Sequence, residues 1–180
     1  MIPSNIVNSD CPLLVFSDHT SGLIGFLIKF RTRGSYNHTM WMIKPGYFCS
    51  QGNTYSEVPI ERYMKKGNRL KFVFFKWLTP VQKEMICASI KKKLQLPCYK
   101  KAYDCVGIIG QVIGIKRINI NGLNYCSEDV VSHLVPLVEY LDGDLKEAIS
   151  LIPLHGSPDD LNEYMKRNPF VFKTFILVIR

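Results

Sequence analysis

Apolar and polar positions alternate with two different periods along this chain, and the first half is dominated by the shorter one. Leu13 to Phe16 is a compact apolar run suited to a buried strand. Ser21 to Phe30 breaks the pattern, with Leu23, Phe26, Leu27 and Phe30 at helical spacing. Asn37 to Ile43 and Tyr47 to Gln51 read as two strands around Lys44-Pro45-Gly46. Pro followed by Gly suits the middle of a tight turn, so a β-hairpin is expected. A polar turn at Gly52-Asn53-Thr54 leads into Tyr55 to Val58, and Pro59 to Lys66 reads as a helical turn closed by Gly67. Arg69 to Leu78 carries aromatic and β-branched residues on both faces, as a central strand requires.

After Leu78 the period lengthens. Thr79 with Gln82 forms a capping box, Pro80 occupies the first helical position, and Ile86, Ile90 and Leu94 make one stripe. Asp104 caps a further helix through about residue 113. Asn121-Gly122 marks a turn before Tyr125-Cys126, where Ser127-Glu128-Asp129 puts two acids in the first turn of a helix, favoured there by the dipole. Pro136 should end or kink that helix near Val135. Ser157-Pro158-Asp159-Asp160 is another helix start, and Phe170 to Ile179 a last strand. The mixed order predicts an α+β fold, an antiparallel sheet with helices grouped around it.

With 180 residues and 47% hydrophobic content, the chain suits one domain over residues 1–180 with a real core, which excludes a disordered polypeptide. Its apolar runs are too short to span a bilayer. Met1 to Asp10 lacks the pattern of a signal peptide, so cytoplasmic synthesis is expected, with release by lysis or association with a phage particle left open. The net charge of +8 attracts polyanions such as an anionic cell wall or lipid surface. Lys91-Lys92-Lys93 itself reads as a solvated helix face. The aromatics fall in strands rather than among the lysines, so no specific nucleic-acid partner is expected. The six cysteines include no Cys-x-x-Cys pair and no close Cys/His cluster; free thiols, no metal and no cofactor follow.

Among those thiols Cys126 has a distinctive place. At a helix N-terminus, unpaired backbone N–H groups and the dipole favour thiolate and can hold an oxyanion. Val130 and Leu134 continue its stripe, so its sulfur should face inward. The four histidines are sorted by geometry. His133, seven residues along the same helix, would lie ~10 Å from Cys126 along the axis. His155 sits in a Pro/Gly loop with no defined neighbour, and His19 in a polar turn. His38 opens a strand in register with Met40 and Met42, a suitable position for a general base. If the hairpin pairs positions summing to 90 or 91, His38 faces residues near 52 or 53. Gln51 then becomes an adjacent or diagonal neighbour able to accept the other ring N–H. Glu57 is the alternative third member, with better charge but lying further along the chain.

The order of these segments resembles the circularly permuted branch of the NlpC-type peptidases, the YiiX/YebB-like proteins with a papain-like fold. The matching stretches are Ser9 to Phe16, Leu23 to Phe30, Ser35-Tyr36-Asn37-His38, Val58 to Tyr63, Tyr103-Asp104 with Gly107, Tyr125-Cys126-Ser127-Glu128-Asp129-Val130, and Ser157 to Leu161. In that branch the histidine precedes the cysteine, so the resemblance implies Cys126 as nucleophile and His38 as base. The family's third polar residue is usually a glutamate about thirteen residues after the histidine, where this chain has Gln51. Gln orients the ring without stabilising an imidazolium by charge, so the resemblance implies either weaker activity than in relatives or Glu57 as a substitute, with Tyr103 and Asp104 as alternative or supporting polar residues. Asp104-Cys105-Val106-Gly107 resembles the nucleophile motif of the unpermuted peptidases, but no histidine follows Cys105 on a strand.

The expected activity is hydrolysis of an amide bond in a peptide or acyl-amide substrate through an acyl-thioenzyme, and the resemblance suggests cell-wall peptides. A lipid-acyl hydrolase or acyltransferase of the same fold is the alternative, as is a non-catalytic binding or virion protein that keeps the fold.

Overall fold

In this computed structural model, which describes residues 11–18, 34–51, 54–102 and 126–179, six segments of strand periodicity join in one sheet. They are β1 (Leu13–Ser17), β2 (His38–Lys44), β3 (Tyr47–Gln51), β4 (Tyr55–Pro59), β5 (Arg69–Phe75) and β6 (Phe172–Val178). The sheet order is β4-β3-β2-β1-β5-β6 and every pairing is antiparallel. The expected hairpin is β2-β3. Its register sums to 90 at Met40↔Ser50 and Trp41↔Cys49, then shifts to 91 at Lys44↔Tyr47 beside the turn. Gly46 closes that turn at φ +81°, where a β-carbon would be strained.

Strand β1 is an unbroken apolar run because both faces of the sheet are covered, and all five of its residues are buried. On one face Leu14, Phe16, Trp41, Cys49, Tyr55, Val73 and Phe75 form the floor of the larger core. The opposite face carries Leu13, Val15, Met40, Met42, Phe48, Leu70 and Phe72. Ile60 and Tyr63, from the 3-10 turn Ile60–Tyr63, join them there.

Helices cover the first face. The capping box at Thr79 starts α1 (Pro80–Leu94), which buries Ile86 and Ile90. Next come α2 (Cys126–Ser132), which lies against β2 and β3, and α3 (Gly143–Ser150). A second capping box, at Ser157 and Asp160, starts α4 (Pro158–Arg167). Pro136 falls in the first turn of a separate 3-10 segment, Val135–Tyr140. α2 therefore stops at Ser132, earlier than Pro136 alone indicates.

Helix α3 adds to the elements expected from the pattern. Its first residue is Gly143 at φ +54°, and Asp142 makes no side-chain cap, so the usual start signals are missing. Strand β5 ends at Phe75, short of the Leu78 expected. The expected helices over residues 21–30 and 104–113, the turn at 121–122, and His19, Tyr103, Asp104, Cys105 and Tyr125 lie outside the described residues.

Lys71 of β5 is buried, with Nζ donating to Asn162 Oδ1 of α4 at 2.7 Å and lying 5.6 Å from the Phe16 ring. Burial, reinforced by the positive charge of Lys166, lowers its pKa to about 8.

Candidate active site

His38 is the first residue of β2 and is half-buried. Because Met40 stands opposite Ser50, His38 and Ser50 are diagonal neighbours on one face of the sheet. The His38 Nε2 lies 2.7 Å from Ser50 Oγ, and Ser50 Oγ lies 3.0 Å from the Tyr63 hydroxyl. Tyr63 also stacks on the imidazole, with ring centroids 6.0 Å apart and planes 10° apart. Two hydroxyls and an aromatic face thus fix the ring. Burial raises the Tyr63 pKa, opposed by its bond to Ser50 and the positive Arg62.

Gln51 is adjacent to Ser50 in sequence and therefore points the other way. Its side chain shares a face with Cys49, donates from Nε2 to the Lys101 carbonyl at 2.9 Å, and keeps Oε1 buried without a partner among the described residues. Glu57 stands opposite Cys49 on that same face and pairs with Lys44 at 2.8 Å. The residue brought to Nε2 is therefore Ser50, with Tyr63 bonded behind it and stacked on the ring, and sequence reasoning missed both. The hairpin sum of 90 already contained Ser50, because the diagonal neighbour on His38's own face is the residue opposite Met40.

Cys126 is the first described residue of α2 and is 1% exposed, with Val130 and Leu134 buried behind it as its stripe predicts. α2 packs on the face opposite to His38. The negative charge of a Cys126 thiolate is the smallest of the influences on Tyr63, after burial, the Ser50 bond and Arg62, and it raises the Tyr63 pKa. Two other thiols are poor nucleophiles at neutral pH. Burial, followed by the charges of Glu57 and Asp129, pushes Cys49 up to about 12, and burial raises Cys87.

The polar triplet after Cys126 is buried rather than solvated. Ser127 Oγ donates to the Gly156 carbonyl at 2.5 Å, and Glu128 Oε1 meets His155 Nδ1 at 2.5 Å. His155, expected to lack a defined neighbour, is thus tied to the Cys126 helix. Asp129 accepts from Lys93 Nζ and lies 3.6 Å from His133 Nε2, while His133 Nδ1 is 2.8 Å from Ser89 Oγ. Burial works against ionisation of Asp129, but the nearby His133 ring and the Lys93 charge outweigh it and hold the carboxyl below its usual range. Lys93 therefore leaves the solvated face expected for the lysine run.

A cavity of about 320 Å³ opens beside His38. Its wall is polar, made by His38, Ser50, Thr54, Ser56, Tyr63 and Arg62, with Val58 as the apolar contribution. Among the described residues no group of three His, Cys, Asp or Glu side chains is placed to hold a metal, and no helix is long and apolar enough to cross a membrane. Compared with protein-family models, with curated proteins and with solved structures, the chain matches none.

Proposed function

We propose that this chain is a cysteine hydrolase of the circularly permuted, papain-like NlpC type, acting on amide bonds with Cys126 as nucleophile and His38 as general base. The observation that carries it is the held imidazole lining a polar cavity, joined through Ser50 to the Tyr63 hydroxyl, in a chain whose Cys126 is buried as the first described residue of α2. His38 takes the thiol proton, the thiolate adds to the carbonyl, and the collapsing adduct expels the amine, which receives the proton from the imidazolium. Water, deprotonated by His38, then cleaves the acyl-thioenzyme to acid and free thiol. Ser50 and Tyr63 hold the ring in place through both halves, the part that Gln51 or Glu57 was expected to play.

The cavity wall favours a polar acyl group such as a peptide over a lipid chain, which among the described lining residues would find Val58 as its aliphatic partner. The basic surface favours an anionic polymer as the bearer of that peptide. The test is hydrolysis of purified peptidoglycan peptides, read by mass spectrometry, with Cys126→Ser and His38→Ala as controls. Both substitutions should abolish product, and alkylation of Cys126 should follow a thiolate well below pH 8 that moves upward in His38→Ala. Product formation surviving Cys126→Ser, or slow alkylation with an ordinary thiol pKa, would sink the assignment.

A further inference from the structure

Arg62 is an exposed residue in the turn that delivers Tyr63 to the site, and its side chain lines the cavity. It is the one permanently charged side chain among the described lining residues, and it forms no salt bridge with them. The neighbouring Tyr63 turns inward to Ser50, so adjacent residues of one short turn serve two purposes: one holds the imidazole and the other faces the ligand space. Thr54 and Ser56 line the same space and bring hydroxyl groups to its wall. A guanidinium with hydroxyl donors nearby is the chemistry that recognises an oxyanion, because the planar fork satisfies two oxygens at once and the hydroxyls fill their remaining lone pairs. A single guanidinium balances one negative charge, which matches a carboxylate better than a phosphate dianion.

We propose that the cavity is a carboxylate-binding subsite, in which Arg62 selects acyl groups that carry a free carboxylate and seats them with the reacting carbonyl toward His38. This specificity rests on the hydrolase assignment above, but carboxylate binding can be measured without turnover. The probes are N-benzylsuccinamate and its neutral counterpart N-benzylbutanamide, titrated by calorimetry into the Cys126→Ser protein. The succinamate should bind ~10-fold more tightly, a preference typical of one charge-assisted contact. Arg62→Gln in the same background should bring the two probes within about twofold of each other, while Arg62→Lys, a point charge without the fork, should keep part of the preference. Equal binding of the probes, or a preference that survives Arg62→Gln, overturns the subsite. Release of benzylamine by the wild-type protein reports separately on catalysis. Arg62-dependent binding with no Cys126-dependent release upholds the subsite and removes the hydrolase assignment.

Discussion

A hydroxyl where the resemblance predicted an amide or an acid changes what the imidazole can do. Ser50 neither neutralises an imidazolium nor fixes one tautomer by charge, since its Oγ can accept from Nε2 or donate to it. Tyr63 decides between these by supplying or accepting the next hydrogen bond. Ser50→Ala should therefore lower kcat/KM by about tenfold, mostly in kcat, and shift the limb of the pH–rate profile that reports His38. Ser50→Thr should restore most of the loss. An unchanged profile in Ser50→Ala would show that the hydroxyl only fills space. The sequence made His38 legible as a strand residue on an apolar face, and Cys126 as the start of a buried stripe. Gln51 was misplaced because closeness along a strand was weighed without its alternation, which separates neighbours by the thickness of the sheet.

Helix α2 has only seven described residues, too short to be stable by its own hydrogen bonds. Its neighbours hold it: Ser127 and Glu128 on the loop before α4, Asp129 on α1 through Lys93, and Val130 and Val131 on the sheet. Asp129→Asn should cost about 3 kcal/mol in denaturant unfolding, as expected when one partner of a buried pair is lost. The pH dependence has a definite sign. Because folding holds the Asp129 carboxyl below its ordinary value, its stabilisation is complete above about pH 3.9 and is lost as pH falls through the folded-state value. Asp129→Asn should flatten this acid limb, measured as unfolding midpoints between pH 2 and 6. Wild-type and variant curves falling in parallel would place the acid sensitivity elsewhere. At this scale the sequence revealed where helices start but not what their first turns touch. Two acids after a cysteine look like dipole partners, and nothing local announces a lysine on α1 or a histidine in a distant loop.

At the scale of the whole molecule, the α+β class was legible because two periods are written along the chain, whereas strand order was not. β1 lies between β2 and β5, and β6 lies beside β5, through contacts that no local pattern encodes. Coverage of both faces leaves Lys71 with little solvent, and among the described residues its hydrogen bond goes to Asn162. Asn162→Ala should destabilise the protein by about 2 kcal/mol and push the Lys71 pKa further below about 8. A folded-state value below the unfolded one means stability rises with pH from about 8 toward the free-lysine range. The variant should steepen that rise in unfolding measured at pH 7 and pH 10. An unchanged slope would mean that Asn162 does not govern the charge. The bond from the Ser35 N–H to Asp159 Oδ1, 2.8 Å long, joins residues 124 positions apart, whereas His38 and Ser50 are separated by 12. Distance along the chain sets an order in time, since near contacts close sooner than far ones. The hairpin that cradles the imidazole can assemble early, and the thiol docks only when the distant α4 end is tied down. A nascent chain would thus carry a positioned imidazole for an interval before it carries a buried Cys126 thiol.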